Sequence, residues 1–340
     1  MSPDGFFLTF KLCFNNVIKT NKYLLQLLKF MSQTVISRIA PTPSGFLHLG
    51  NAFNFLLTAL LVDCEGGHLH LRIDDLDGPR VELSSVEDIF VQLEWLGIDY
   101  DSGPSGPDEL FKQYSQQLRR EKYSVALEIL RDSGIIYSCE CSRSEIRKLS
   151  PEGIYPGTCR LKELDLMQDS LPWRVKVPEQ TYVRFKTFTN KVEKINVDLI
   201  IGDFVIKRRD ELPAYQLASL MDDLELGVNL VVRGDDLRAS TAAQLFLAQC
   251  LNDQVFPAAR FIHHQLINDN SGNKLSKSAG AFSLTSLREK HQSPVWIYQE
   301  TAKSLRLPFQ HIRTLEDLKE VFSNTIQKKD GFENLLKQGT

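Results

Sequence analysis

The stretch "TVISRIAPTPSGFLHLGNAFNFLLTALLV", residues 34–62, decides the fold of this chain. Residues 34–40 read as a short strand, residues 41–51 as a turn-rich loop, and residues 52–62 as a helix with Leu and Phe at helical spacing. The sequence "HLHLRI", residues 68–73, supplies a second strand. In such a unit the loop and the helix N-terminus lie beyond the carboxyl ends of the strands, where free N–H groups and the helix dipole attract phosphate. The pattern therefore predicts a nucleotide site, although the chain has no GxGxxG motif.

Capping signals locate three further helices. Ser84, followed by Glu87, is expected to cap a helix, Gly134 is expected to end one, and Ser240 is expected to cap another. Two further strands are predicted from apolar runs, at residues 227–237 and 261–268. Two α/β halves therefore flank a middle part of different character.

The composition is that of an ordinary globular chain. Its 340 residues suggest about two domains, and its net charge of −3 excludes a uniformly basic nucleic-acid binder while allowing a local basic patch. The six cysteines do not form a secreted disulfide framework, because three crowd together and the others are scattered. No apolar run reaches the roughly 18 residues that span a membrane. We therefore expect a soluble, cytoplasmic protein with no membrane partner.

The first thirty residues differ in composition from the rest of the chain. They are rich in Phe and Lys and contain no Arg before Met31, which fits targeting peptides poorly. We therefore expect residues 1–31 to be a dispensable extension, with translation starting at Met31.

Four segments carry a resemblance to a known family. They are "RIAPTPSGFLHLGN" (38–51), "LRIDDLDGPR" (71–80), "PAYQLASLMDDLELGVNLVVRGDDL" (213–237) and "NKLSKS" (273–278). In this order they resemble the catalytic half of class I glutamyl-tRNA synthetases, with HLGN similar to the family's HIGH motif and KLSKS to its KMSKS loop. The resemblance implies a Rossmann-like α/β catalytic domain that joins glutamate to ATP.

The resemblance also implies how ATP is handled. Adenylation places negative charge on phosphoryl oxygens and on departing pyrophosphate, with Mg²⁺ accompanying ATP. Lys277 would bind the phosphates, Lys274 would assist, and His48 would donate a hydrogen bond from the helix N-terminus. Gly50 and Asn51 complete the expected ATP site, although Asn51 stands where the family has its second His. Taken alone, KLSKS would read as a solvated turn.

A glutamate substrate needs a cation for its side-chain carboxylate, an anion for its ammonium group and hydrogen bonds that orient it. By resemblance, Arg38 and Arg233 bind the carboxylate, Asp74 faces the ammonium group and Tyr215 orients the substrate. Thr42, which stands where Ser is usual, is a further glutamate-binding candidate.

Departures and an alternative stay open at this site. Asp74 stands where the family usually has Glu, so its shorter side chain needs a water to reach the amine. Ser219 stands where some members have Asn. Without the resemblance, Arg233 and Asp235 would read as a surface ion pair and Tyr215 as a core residue.

The segment "CECSRSEIRKLSPEGIYPGTC", residues 139–159, offers three thiol ligands in Cys139, Cys141 and Cys159. Tetrahedral zinc needs a fourth ligand. The pattern CxC followed by YxxxC resembles the zinc site of glutamyl-Q tRNA(Asp) synthetases, the short paralogues of the family, which implies Tyr155 as that ligand. We therefore expect a structural zinc ion in a small insertion that helps to hold RNA.

Length separates the members of the family. Only 62 residues follow Ser278, including a helical stretch at 285–307, too few for a large anticodon-binding region. The resemblance then implies an enzyme that activates glutamate without tRNA and attaches it to queuosine in the anticodon loop of tRNA(Asp). Its partners would be ATP, L-glutamate and queuosine-bearing tRNA(Asp), and we expect a monomer. A truncated glutamyl-tRNA synthetase charging a tRNA 3′ end and a non-catalytic nucleotide- or RNA-binding paralogue stay open.

These expectations divide the chain into five parts. They are an extension (1–31), the first half of the catalytic domain (32–135), a zinc-containing, RNA-binding insertion (136–195), the second half with the KLSKS loop (196–285) and a helical C-terminal region (286–340).

Overall fold

The computed structural model describes residues 34–78, 81–150, 152–168, 170–265 and 283–326. The predicted extension 1–31 lies outside these residues, and so do Lys274 and Lys277 of the KLSKS segment. Helices and strands alternate through the described residues, so the α/β prediction is confirmed.

The first β-loop-α-β unit forms as predicted. Strand β1 (Ile36–Ile39) is followed by helix α1 (Leu49–Cys64) and strand β2 (His68–Leu71). The strands are parallel, with Ile36 opposite His68. The apolar residues of α1 are buried because their helical spacing places them on the faces that meet the sheet and the neighbouring helices.

The remaining helices are α2 (Leu83–Trp95), α3 (Pro107–Glu109), α4 (Arg120–Asp132), α5 (Arg143–Leu149), α6 (Val197–Ile200), α7 (Tyr215–Glu225), α8 (Arg238–Cys250), α9 (Leu284–His291), α10 (Val295–Ser304) and α11 (Leu315–Ile326). The remaining strands are β3 (Ile136–Ser138), β4 (Trp173–Val175), β5 (Tyr182–Thr187), β6 (Val192–Asn196), β7 (Val205–Lys207), β8 (Leu230–Gly234) and β9 (Arg260–His264).

The main layer joins both halves of the chain. Strands β8 and β9 are parallel, and β9 is followed outward by β5 and β6. On the other side, β1 lies beside β8, since Asn229 N donates to Ile36 O at 2.9 Å and Ser37 Oγ donates to Leu230 O at 2.8 Å. The carboxyl ends of β1, β8 and β9 therefore meet at one edge, as in a nucleotide-binding α/β sheet.

A second sheet is small and antiparallel, in the order β3-β4-β7. Its strands β3 and β4 fall in the predicted insertion 136–195, while β7 follows it in sequence. Conversely, β5 falls inside that range but pairs with β9 of the main layer. The sheets therefore cross the predicted boundary at residue 195.

Two apolar cores lie against the main layer. The first contains α1, α2 and the C-terminal helices α9 to α11, and the second contains α4, α7, α8 and the buried side of β5. Strand β8 contributes to both, because Val232 faces the first core and Val231 the second. Among the helices of the described residues, none has the length and apolarity that crossing a membrane requires.

Two predicted helix caps are wrong. Helix α2 begins at Leu83, so Ser84 lies inside its first turn, and the N-cap residue is Glu82. Helix α8 begins at Arg238, so Ser240 is also inside the helix, where its Oγ accepts a hydrogen bond from Gln216 Nε2 at 3.1 Å. Gly134, with φ +74°, follows the end of α4 as predicted.

The predicted helical stretch 285–307 is two helices. Helix α9 ends at His291 and α10 begins at Val295, with Gln292 at φ +54° between them. Pro294 causes the break, because proline has no N–H with which to continue the preceding helix.

Candidate active site

The turn between β1 and α1 places His48 at the N-terminus of the helix. His48 is the N-cap residue, and its backbone N–H donates to Asn51 Oδ1 at 3.0 Å. A Cβ on Gly50 would lie 3.1 Å from two atoms of the His48 ring, so a larger residue at this position would crowd the ring. The ring thus lies at the N-terminus of the helix, an environment that favours phosphate. Asn51 Oδ1 is used to cap this helix.

The described residues on both sides of the KLSKS segment lie beside the same helix. On its N-terminal side, His264 ends β9 with its Nε2 2.9 Å from Asn54 Nδ2 of α1. On its C-terminal side, Ser283 bridges to His48, and Leu284 N donates to Leu47 O at 2.8 Å. Both described flanks of residues 266–282 therefore lie at the N-terminal part of α1.

Buried Asp88 of α2 ties these two flanks together. Its Oδ2 accepts from Leu47 N at 3.3 Å, in the loop before His48. Its Oδ1 accepts from Thr285 Oγ1 at 2.7 Å and from Gln92 Nε2 at 2.7 Å. One carboxylate therefore fixes the position of the HLGN turn relative to the start of α9.

Buried charges form a network behind the edge where β1 and β8 end. Arg38 Nε donates to Asp223 Oδ1 at 2.8 Å, and Arg72 Nη1 donates to the same oxygen at 2.6 Å. Arg72 Nε donates to Asp74 Oδ1 at 2.7 Å. Burial raises the pKa of Asp74, whereas at Asp223 burial is outweighed by Arg38 and Arg72, which lower its pKa. Asp74 therefore already has a cationic partner, and Asp223 is held as a carboxylate.

Arg233 has a different environment. It is 3% exposed, and its Nη1 donates to Thr241 Oγ1 at 3.1 Å and Gln244 Oε1 at 2.9 Å, both neutral acceptors. Its Nε and Nη2 are buried and have no hydrogen-bond partner in the part of the chain that the structure describes. Burial lowers the pKa of Arg233. A buried guanidinium with two free donors suits a bidentate carboxylate ligand.

A neutral histidine supports this arrangement. His263 Nε2 lies 2.8 Å from Thr241 Oγ1. Burial, followed by the charges of Arg233 and Arg238, lowers the pKa of His263 to about 3. At neutral pH His263 is therefore uncharged and adds no second positive charge beside Arg233.

The other glutamate candidates lie on the rim. Tyr215 is the first residue of α7 and is 40% exposed. Thr42 is exposed in the loop after β1. The alternative of a surface pair is wrong, because Arg233 is buried and Asp235 instead faces Arg238 at 3.6 Å. The alternative of a core tyrosine is also wrong, given the exposure of Tyr215.

Sequence reasoning missed Arg72, Asp222 and Asp223. The signal was the adjacent pair Asp222 and Asp223, whose nearest neighbours in the helix are apolar or small, because buried carboxylates require cationic partners. Asp223 matters most, because its Oδ2 is buried and has no hydrogen-bond partner among the described residues.

The predicted metal ligands converge. The Sγ atoms of Cys139, Cys141 and Cys159 lie within 4.8 Å of one another. Tyr155 Oη lies 3.3 Å from Cys139 Sγ and 3.4 Å from Cys141 Sγ, and it accepts from Cys159 N at 2.9 Å. Zinc–sulfur bonds of about 2.3 Å imply sulfurs roughly 3.8 Å apart, so the donor set fits a tetrahedral zinc ion.

Comparison with known proteins gives a consistent family. The family model for "tRNA synthetases class I (E and Q), catalytic domain" matches residues 34–325. A glutamyl-Q tRNA(Asp) synthetase of Pseudomonas fluorescens is 38% identical over 254 residues, which cover 75% of this chain and 80% of that relative. A glutamyl-Q tRNA(Asp) synthetase of Prochlorococcus marinus is 35% identical over 311 residues, 89% of this chain and 91% of the relative.

Solved structures show the same fold. A glutamate-tRNA synthetase of Elizabethkingia anophelis matches with a TM-score of 0.69 and 24% identity, over 85% of this chain and 66% of that one. A glutamate tRNA ligase of Elizabethkingia meningosepticum, solved with its amino acid, matches with a TM-score of 0.68 and 25% identity, over 85% of this chain and 65% of that one. This chain thus spans about two thirds of each. The chain belongs to the glutamyl-Q tRNA(Asp) synthetase family, within the class I synthetases that share the glutamyl and glutaminyl catalytic domain.

Proposed function

We propose that this chain activates L-glutamate with ATP, without tRNA, and transfers the glutamyl group to queuosine in the anticodon loop of tRNA(Asp). The observation that carries the proposal is Arg233, a buried cation at the edge where the strands β1 and β8 end, with two donors that have no hydrogen-bond partner among the described residues. Family membership supplies the reaction, because the curated relatives are named for it.

The ATP site rests on the N-terminus of α1. His48 and the helix N–H groups would contact the phosphates, with Gly50 leaving room for the ring. Lys274 and Lys277 would neutralise charge on the transferred phosphoryl group and on pyrophosphate, with Mg²⁺ bound to ATP. The anchoring of both described flanks beside α1 supports this assignment.

The amino-acid site rests on the buried charges. Arg233, with Arg38 nearby, would bind the side-chain carboxylate, and Tyr215 and Thr42 would orient glutamate from the rim. For the ammonium group we favour Asp223 over Asp74. Asp223 Oδ2 is a buried acceptor without a described partner, whereas Asp74 is paired with Arg72.

We further propose that Cys139, Cys141, Tyr155 and Cys159 hold a structural zinc ion. Zinc would replace weak thiol contacts by four strong bonds and fix the loops around β3. The cysteines follow β3 of the small antiparallel sheet, which is distinct from the main layer, so the proposed role of the ion is in holding RNA.

The deciding experiment has two stages. Amino-acid-dependent ATP–pyrophosphate exchange is measured without tRNA across a panel of amino acids, and glutamate should support it alone. Labelled glutamate is then offered to tRNA(Asp) with and without queuosine, and nuclease fragments locate the label. Label in the queuosine-bearing anticodon stem-loop supports the proposal.

Other outcomes select the alternatives. Label on the 3′-terminal adenosine would identify a shortened glutamyl-tRNA synthetase, because the adenylate is an acyl donor whose acceptor depends on which hydroxyl is brought within attack distance. Absence of exchange with every amino acid would identify a non-catalytic paralogue. The buried hydrogen-bond acceptors that hold Arg233, Thr241 and Gln244, argue against the non-catalytic alternative.

A further inference from the structure

The hairpin of β5 and β6 presents one face to solvent. Residues alternate along both strands, so Val183, Phe185 and Ile195 are buried against the second core. The opposite side chains are exposed. We call these exposed residues the hairpin face; they are Tyr182, Arg184, Lys186, Val192 and Lys194.

The hairpin face concentrates positive charge without neutralising it. Arg184 lies directly opposite Lys194 in the antiparallel register, a like-charge pair that costs stability. Lys194 Nζ lies 3.6 Å from the ring centroid of Tyr182, which is 45% exposed. Among the described residues, no carboxylate forms an ion pair with Arg184, Lys186 or Lys194, although the chain as a whole carries a net charge of −3.

We propose that the hairpin face binds the sugar–phosphate backbone of the RNA substrate, with Tyr182 packing on a ribose or base. Three uncompensated cations on the same face as an exposed aromatic ring match the chemistry of an RNA strand, which offers phosphates and stacking surfaces together. The inference rests on the proposed function for the presence of an RNA substrate, and it deepens that function by naming the surface that holds the RNA.

The buried side of the same hairpin connects to the amino-acid site. The ring of Phe185 lies 5.5 Å from that of His263, measured between centroids. His263 contacts Thr241, which accepts a hydrogen bond from Arg233. On β6, Glu193 forms an ion pair with Arg238 of α8. RNA on the hairpin face would therefore be held by an element that packs directly on the support of the glutamate site.

The test compares two double variants of equal charge change. Arg184→Gln/Lys194→Gln removes the opposed cations of the hairpin face. Lys122→Gln/Arg131→Gln removes two cations of α4, one exposed and one half-buried, each of which has a carboxylate partner. The dissociation constant for tRNA(Asp) is measured from low to physiological salt, alongside tRNA-independent exchange and thermal stability.

The hairpin variant should bind tRNA about tenfold more weakly and lose roughly 1.4 to 1.8 from the slope of log affinity against log salt, at about 0.7 to 0.9 per phosphate contact. The α4 variant should retain both values. Exchange should be unchanged in both. The hairpin variant should melt at the same or a higher temperature, because it removes a like-charge pair, whereas a purely structural role would lower its melting temperature.

Equal affinity and salt slope in the hairpin variant and the parent protein would overturn the inference, as would equal losses in both double variants. Loss of binding to anionic lipid vesicles with unchanged tRNA binding would assign the face to a membrane instead. A parent protein that binds tRNA(Asp) but transfers no glutamate would count against the proposed function alone, because the salt slope needs no chemistry.

Discussion

Arg233 differs from Arg38 and Arg72 in the acceptors that hold it. Arg38 and Arg72 share the carboxylate of Asp223, so their charges are compensated within the protein. Among the described residues, the guanidinium of Arg233 donates hydrogen bonds to the neutral oxygens of Thr241 and Gln244 alone, through its Nη1. A buried charge without an oppositely charged partner destabilises the folded protein. A ligand carboxylate that pairs with Arg233 removes this penalty, and the gain in free energy appears as ligand affinity.

The first prediction concerns Gln244→Glu. A carboxylate 2.9 Å from Arg233 Nη1 would pair with the guanidinium and compete with glutamate. The KM for glutamate in the exchange reaction should rise roughly 10- to 100-fold, while the KM for ATP stays the same, because a charge-assisted hydrogen bond contributes about 1.5 to 3 kcal/mol. Gln249→Glu, at an exposed position of the same helix, is the control. Unchanged glutamate saturation would remove Arg233 from the substrate site.

The second prediction concerns pH and His263. Burial lowers its folded pKa to about 3, from 6.5. At a pH between about 3 and 6.5, His263 binds a proton in the unfolded chain but not in the folded chain. The free energy of unfolding therefore decreases as the pH is lowered below about 6.5. Between pH 7.5 and pH 5 the free energy of unfolding should fall by about 2 kcal/mol less in His263→Gln than in the parent protein. Urea unfolding at the two pH values measures this difference. His311→Gln, at an exposed position, should keep the full loss, and parallel pH dependences of all three proteins would contradict the prediction.

Residue types and their order were enough to propose Arg38, Asp74 and Arg233, because each belongs to a segment that resembles a family. The same reasoning did not find Asp223, although it lies in one of those segments. Its role depends on two arginines distant in sequence, 185 and 151 positions away. Such convergence is a product of the fold: the sequence shows two adjacent acidic residues, Asp222 and Asp223, but does not show which distant arginines they meet.

At the scale of elements, periodicity predicted more reliably than capping. Helix α1 and strands β8 and β9 form where apolar spacing placed them, because burial of a continuous face determines them. The caps at Ser84 and Ser240 failed, because a hydroxyl close to a helix start can equally lie one or two residues inside the helix. The break between α9 and α10 could have been predicted from Pro294.

The third prediction concerns the cysteine cluster. Purified protein should contain about one zinc ion per chain, and Cys139→Ser should lose it because three thiolates and Tyr155 are needed for four ligands. Cys250→Ser, in α8 and outside the cluster, should keep it. Elemental analysis gives the metal content. Loss of zinc should reduce transfer to tRNA more than exchange, and a metal-free parent protein would end the zinc proposal.

At the scale of the molecule, the C-terminal helices belong to the catalytic core. Helices α10 and α11 pack on α1, the helix whose N-terminus holds His48. Lys319 Nζ of α11 lies 3.5 Å from Asp63 Oδ1 of α1. The sequence predicted a separate helical region after residue 285, because local periodicity does not show which distant surface a helix covers.

The fourth prediction follows from this packing. Phe322 of α11 is fully buried in the first core, so Phe322→Ala should lower the free energy of unfolding by about 3 to 5 kcal/mol, combining lost burial with a cavity. Phe111→Ala, at a side chain 44% exposed, is the matched control and should cost well under half as much. Urea unfolding followed by fluorescence and by exchange activity should show one shared transition, because α11 packs on the helix that we propose carries the ATP site. A second, earlier transition with activity retained would instead make the C-terminal helices a separate unit, and equal losses in the two variants would contradict the burial argument itself.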